Sequence, residues 1–355
     1  MKKSTIILIG LSFAHDNYLT THVEILSKKF NVKSIRVDEH RLLSKCFKRR
    51  SFLSLPLELF VLLGLLLWNR PTAVISIGPK IGLLSSITCR LLFIKSYHWF
   101  TGQVWALKKH RYTSLAYWCD LIVYSLSSGV CCDGLTQKTF LSYNFPFSRN
   151  IHVPKNGSIN GVREEFYSMV HTAKYKNILK VCFIGRKTNG KGLSLLYEVA
   201  KKTSDLDINC LFTLAGPVDI DSSQYDVFLK NQYSLSNIKL IDDYVNPTNT
   251  LQDQHVLILP SEREGFGSIV VEAQAIGLPV ICSDAYGLSD SFIDGITGIR
   301  CKGGMVNEYV DAIVKLNDAI ILSEFSTQAR IFSKKFHPES FKRDLSVCYA
   351  ELGIL

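Results

Sequence analysis

Short runs of apolar, often β-branched residues recur along the chain, each set off from the next by a longer segment of helical periodicity. The first series is TIILIG (5–10), NVKSIRV (31–37), AVISIG (73–78) and DLIVYS (120–125). The second is ILKVCFIG (178–185), INCLFTLAG (208–216), HVLILP (255–260) and LPVICS (278–283). Strands that are apolar on both faces and alternate with helices predict parallel sheets covered on both sides. The series restarts near residue 178, after the polar stretch REEFYSMVHTAKYKN, which places a linker around 165–177. The expected architecture is α/β, with two doubly wound domains at 1–168 and 169–335. A closing helix near 337–352, within 336–355, is placed to cross back to the first domain. Ligands of such sheets lie beyond the carboxyl ends of the strands, so a cleft between two facing domains is the expected site.

One apolar segment breaks the rhythm: KCFKRRSFLSLPLELFVLLGLLLWNRP (45–71). Its uncharged run from Leu59 to Trp68 is half the length of about 20 residues that a spanning helix needs, and Pro56 and Glu58 interrupt it on the front side. It predicts a helix from near Ser54 that stops before Pro71. Such a helix is either buried or lies in a lipid interface beside Lys45, Lys48, Arg49 and Arg50. Peripheral contact with an anionic membrane surface is the expectation carried forward.

Composition changes the picture in two respects. The 355 residues are 47% hydrophobic and 20% charged, which excludes a disordered chain and suits two domains of ordinary size. Charge is one-sided: residues 1–170 hold 22 Lys and Arg against 9 Asp and Glu, and the remainder hold 19 against 22. A basic front half points to an anionic partner; no nucleic-acid motif supports DNA or RNA. The ten cysteines are scattered without metal-ligand spacing, and no secretory signal precedes them. They read as reduced thiols of a cytoplasmic protein, with no metal and no cofactor expected.

Candidate chemistry concentrates in the second half. FIGRKTNGKG (183–192) sets Arg186 and Lys191 in a glycine-rich turn between a strand and a helix, where outward amides and the helix dipole favour phosphate. It is not a P-loop, because Gly192 follows Lys191 where Ser or Thr would hold magnesium. PSEREGFGSIVVEAQAIGLPVI (260–281) predicts a strand end, a loop and a helix with Ser268 as its N-cap. Gly265 and Gly267 flank Phe266 and allow backbone to approach a ligand closely. Glu264 stands at the lip and Glu272 one turn inside the helix. Two carboxylates beside an anion site suit a ligand that is both phosphorylated and rich in hydroxyls; a helix-dipole role is the alternative for Glu272.

PSEREGFGSIVVEAQAIGLPVI resembles the signature of the family 4 (group 1) retaining glycosyltransferases of the GT-B fold, with Glu264 and Glu272 as its paired acids. FIGRKTNGKG, IHVPKNGSINGV (151–162) and AYGLSDSFIDGITG (285–298) extend the resemblance over roughly 150–300, with Asp290 where the family has Glu. The resemblance implies that Arg186 and Lys191 neutralise a departing pyrophosphate. It implies that Glu264 binds the transferred sugar, that Gly265, Phe266, Gly267 and Ser268 present backbone, and that Glu272 holds the ribose. It also implies metal independence, so Asp205-Leu206-Asp207 is not read as a metal motif.

The first domain departs more from the family. LSFAHDNYLTTHV (11–23) replaces the usual glycine-rich loop. HWFTGQVWALKKHRY (98–112) and CDGLTQKTFL (132–141), with Gln137, are similar to a subgroup of bacterial surface-polysaccharide transferases. That similarity nominates His98 beside the donor sugar and Thr101, Gly102 and Gln103 on the acceptor side; His98 reads equally well as a core histidine. The implied activity is transfer of a hexose from a UDP- or GDP-sugar to a polyprenyl-pyrophosphate-linked glycan, in O-antigen or capsule assembly at the inner face of the cell membrane. A nucleotide-sugar epimerase and a non-enzymatic scaffold are the alternatives.

Overall fold

The computed structural model of the chain describes residues 3–10, 19–36, 55–107, 110–169, 175, 177–219, 223, 225–226, 230 and 235–355. The basic cluster at 45–50, the loop 11–18 and part of the linker 165–177 lie outside them. The chain divides into two compact units, residues 1–160 with 341–355, and residues 161–340. The sequence reading set its boundaries at 168 and 336.

The first unit is built on a six-stranded parallel sheet of order β2-β1-β3-β4-β5-β6. Its strands are β1 (Thr5–Gly10), β2 (Asn31–Arg36), β3 (Ala73–Ile77), β4 (Lys95–Phe100), β5 (Gly129–Cys132) and β6 (Ile151–His152). One face is covered by α1 (Thr20–Ser27) and the C-terminal helix Pro338–Glu351, which close over Ile6, Leu8, Ile75 and Trp99. The other carries α2 (Leu55–Asn69) and α3 (Pro79–Leu91) over Ile7, Ile9 and Val74. It continues with α4 (Leu115–Leu126) over Phe100 and Val130; α5 (Leu135–Asn144) follows β5. The closing helix is tied in by His22. Its Nδ1 sits 2.6 Å from the Tyr349 hydroxyl and its Nε2 2.5 Å from the Ile159 carbonyl.

DLIVYS, expected as a strand, is the second half of α4. Its apolar run buries Val123 and Tyr124 at helical spacing, and the strand of this repeat is the short GVCC that follows, β5. A short apolar run has no intrinsic preference between strand and buried helix. The helix expected from Ser54 is α2, and it is not wholly buried: Phe60 and Trp68 are exposed. Among the described residues no helix is long and apolar enough to cross a membrane.

The second unit has a six-stranded parallel sheet of order β12-β11-β10-β7-β8-β9. Before it comes α6 (Glu164–Ser168). The central βα units are β7 (Leu179–Ile184) with α7 (Leu193–Asp205), and β10 (Val256–Leu259) with α9 (Ser268–Ile276). They are flanked by β8 (Cys210–Ala215), β9 (Ile238–Ile241), α8 (Pro247–Leu251), β11 (Val280–Ser283) and β12 (Gly298–Cys301). Helices α10 (Val306–Leu316) and α11 (Ala319–Ser333) complete it, and the Pro338–Glu351 helix is α12. Strands β4, β5, β6, β9 and β12 are absent from the apolar series above: polar residues interrupt KSYHWF and GIRC, and GVCC, IH and IKLI are too short to stand out as runs.

Candidate functional site

Strands β7, β10 and β11 are neighbours in the second sheet, so the loops leaving their carboxyl ends lie side by side. Glycine lets those loops touch. Gly192 has a φ of 70°, and a Cβ added there would fall 2.1 Å from the Pro260 carbonyl oxygen. The Glu262 amide donates to the Gly190 carbonyl at 2.9 Å, locking the β7–α7 loop against the β10–α9 loop. On the other side, a Cβ on Gly287 would lie 2.2 Å from the Glu264 carbonyl oxygen. Backbone therefore packs on backbone across three loops, an approach no residue with a side chain permits.

This seating brings Lys191 and Glu264 together, Nζ to Oε1 at 2.5 Å, with both side chains largely buried. The pair is a cation and an anion at the strand ends, next to the N-termini of α7 and α9. Arg186 leaves the same turn, is mostly exposed, and stands 3.7 Å from the Asp219 carboxylate. Beside it Lys187, not nominated from the sequence, is fully buried. It donates to the Ile241 carbonyl at 2.7 Å and to Asp242, and lies over the Tyr225 ring at 4.9 Å. Burial lowers its pKa, and Asp242 works against that shift. The Lys187 anchor fixes the root of the turn while Arg186 and Lys191 project from it. In the sequence it is one cation among three, with nothing to mark it as the buried one.

Helix α9 begins differently from the expectation. The N-cap is Gly267, at a φ of 77°, and Ser268 is the first helical residue, with no side-chain cap bond. A Cβ on Gly267 would meet Leu288 at 2.5 Å, so the position belongs to glycine on two counts. The Phe266 side chain is buried, 5.5 Å from the Phe336 ring. Its ring anchors the loop 265–267 to the core of the second unit. Glu272 lies one turn into the helix and keeps part of its surface open. Desolvation pushes its carboxyl up to about 7, with Arg163 pulling it down and Glu165 adding to the rise. Burial thus favours the neutral, protonated form of this carboxyl, which can donate as well as accept.

In the first unit His98, near the end of β4, is buried with its Nδ1 2.9 Å from the Ser76 hydroxyl. Its ring stands edge-on to Phe100 at 4.6 Å, and burial lowers its pKa to about 3, so it is neutral. Gly82 of α3 makes room for it: a Cβ there would lie 2.3 Å from the imidazole. His98, Thr101, Gly102 and Asp120 line one small cavity of about 40 Å³. Gln103 is buried and turned away from it, its carbonyl oxygen 3.2 Å from the Gln137 amide nitrogen. Gln137 in turn accepts from the Asp133 amide at 2.8 Å. Asp120 accepts from the Trp105 indole at 2.8 Å, and burial raises its pKa to about 6 against that bond.

Comparison with known proteins places this arrangement. Residues 168–330 match the family model of the group 1 glycosyl transferases. The capsular polysaccharide biosynthesis glycosyltransferase CapM of Staphylococcus aureus is 26% identical over 261 residues, 70% of this chain and 68% of CapM. A D-inositol 3-phosphate glycosyltransferase of an Arthrobacter species is 29% identical over 148 residues, 38% of this chain and 34% of that one. The matches thus span about a third to two thirds of those relatives' own length. Among solved structures, Anabaena HepE in complex with UDP-glucose superposes with a TM-score of 0.75 at 13% identity, covering 98% of this chain and 99% of HepE. Residues 168–330 thus match a group 1 glycosyl transferase domain, and the two parallel six-stranded sheets give the chain the GT-B fold of these neighbours.

Proposed function

We propose that the chain transfers a hexose from a UDP- or GDP-sugar to a lipid-linked glycan, with retention of configuration and without a metal, during surface-polysaccharide assembly. The observation that carries the donor half is the Lys191–Glu264 pair, set by glycine contacts between loops at the strand ends. When the bond from the anomeric carbon to the pyrophosphate breaks, negative charge grows on the leaving oxygens. Lys191 and Arg186 supply positive charge there, together with the amides at the start of α9. The acceptor oxygen forms the new bond to the anomeric carbon, and its proton goes to the departing phosphate oxygen. Glu264 orients the sugar, Glu272 the ribose, and His98 with Thr101 and Gly102 the reacting sugars.

The capsule assignment of CapM and the UDP-glucose bound to HepE support a nucleotide-sugar donor and a surface glycan as product. The basic front half suits a polyprenyl pyrophosphate at the inner face of the membrane. Ligand-observed NMR against a panel of nucleotide sugars tests the reading. Binding of one donor, lost in Glu272→Ala, is expected. A folded sample that binds none of them would overturn it and favour a non-enzymatic scaffold.

A further inference from the structure

Helices α2, α3 and α4 share one face of the first sheet and have an unusual surface. Together they carry four charged side chains, Glu58, Lys80, Arg90 and Asp120. Both acids are buried: Glu58 is paired with Lys80 at 2.6 Å, and Asp120 faces the cavity at His98. An ordinary surface helix puts charged residues on its outer face. Here the outer face of α2 is Leu57, Phe60, Gly64, Leu67 and Trp68, spaced as one helical stripe, with Trp68 88% exposed. Leu115, Trp118 and Ile122 are exposed in the same way on α4.

The turns at the far end of α2 and α3 sharpen the picture. Register pairs Ala73 with Lys95, which sets the turns 69–72 and 91–94 side by side at the start of β3 and β4. Each helix is followed within two residues by one in the left-handed region, Arg70 at a φ of 43° and Phe93 at 55°. The Arg70 amide returns to the Leu66 carbonyl at 2.8 Å, and the Ile94 amide to that of Cys89 at 2.9 Å. Such a position is ordinarily glycine, which adopts it without steric cost. A phenylalanine that is 96% exposed gains nothing there from the fold. Around it stand Arg70, Arg90 and Lys95, and the segments 69–73 and 90–96 hold no acid.

We propose that the outer face of α2, α3 and α4 seats on an anionic lipid bilayer, with Trp68 and Phe93 entering the interface and Arg70, Arg90 and Lys95 meeting headgroup phosphates. Amphipathic aromatics beside cations are the chemistry of interfacial binding. The proposal rests on the reading of a lipid-linked acceptor and names the described side chains that would carry its seat.

The test uses the full chain in flotation with phosphatidylcholine vesicles, with and without phosphatidylglycerol, at low salt. Wild type is expected to float with the anionic vesicles alone. Phe93→Gly relieves the left-handed strain, so its melting temperature should be equal or higher while its partitioning falls. Combined with Trp68→Ser the fall should reach at least about tenfold, and Arg90→Ser alone should cost about fivefold. Wild-type flotation of the Trp68→Ser/Phe93→Gly protein overturns this surface and leaves the lipid-linked acceptor standing. Failure of wild type to float with anionic vesicles overturns the seat and the membrane reading together, while donor binding by NMR stays an independent result.

Discussion

Replacing Glu272 by glutamine should stabilise the protein while destroying its donor site, and the gain should depend on pH. In the folded chain the Glu272 carboxyl titrates at about 7 because of desolvation, against an ordinary value of 4.5. Between pH 4.5 and 7 the unfolded chain has released this proton and the folded chain has not. Stability from this group therefore falls as pH rises through that window and is level above it. The difference of about 2.5 units corresponds to about 3 kcal/mol at full extent. The Glu272→Gln side chain is neutral in both states and loses nothing. Urea unfolding of both proteins at pH 4, 5.5, 7 and 8 isolates the term, since groups common to both cancel. The variant should match wild type near pH 4 and exceed it by up to about 3 kcal/mol at pH 8. A gap that is constant with pH, or that narrows as pH rises, would refute the burial argument. Donor affinity measured on the same samples should meanwhile be lost.

Three further outcomes follow from the geometry. Gly192→Ala meets both a left-handed backbone and the Pro260 carbonyl at 2.1 Å, so it should lower stability by about 2 kcal/mol or more and cut turnover with it, read by thermal melt and rate. Lys191→Met and Arg186→Ala should each slow transfer at least about tenfold, about 1.4 kcal/mol; the exposed Arg186→Ala should melt near wild type, while Lys191→Met, which strips Glu264 of its partner, should melt lower; unchanged rates in both would remove them from the site. His22 is held neutral by burial, its pKa lowered to about 4, against the bond to Ile159. Its contribution is intact above pH 6.5 and is lost as pH falls toward 4, so His22→Gln should flatten the acid limb of the stability curve.

Where the sequence was legible, one physical constraint governed both pattern and place. Fully apolar runs such as VCFI and VLIL, short and followed by glycine- or proline-bearing turns, read as central parallel strands, and they mark β7 and β10 within a residue or two. Glycines at 190, 192, 265 and 267 announced loops that need close approach, and these loops carry Lys191 and Glu264. DLIVYS was ambiguous because a buried helix and a buried strand want the same residues over six positions. Gly267 rather than Ser268 caps α9: the chain enters the helix through the left-handed region at 267, which glycine adopts at no steric cost. The partners of Gln103 and Asp120 are Gln137 and Trp105, and such pairings depend on rotamers that sequence spacing does not determine.

The two units fix their functional loops by different means, and this bears on how far the family resemblance reaches. In the second unit the loops are seated by backbone against backbone, with Gly192 and Gly287 as the points of contact. Glycine is the one residue that permits it, so the spacing must recur wherever the site recurs, and a family motif results. In the first unit the same task falls to side chains. Asp133 accepts from the Trp99 indole at 2.6 Å, Gln137 bridges the Asp133 amide to Gln103, and Trp105 holds Asp120. Several combinations of polar side chains can satisfy such a network, so no one spacing is required there. In the proposed reading the donor is a nucleotide sugar and the acceptor a glycan. The backbone-built unit is accordingly the place to look for the donor, and the side-chain-built unit for what distinguishes this acceptor.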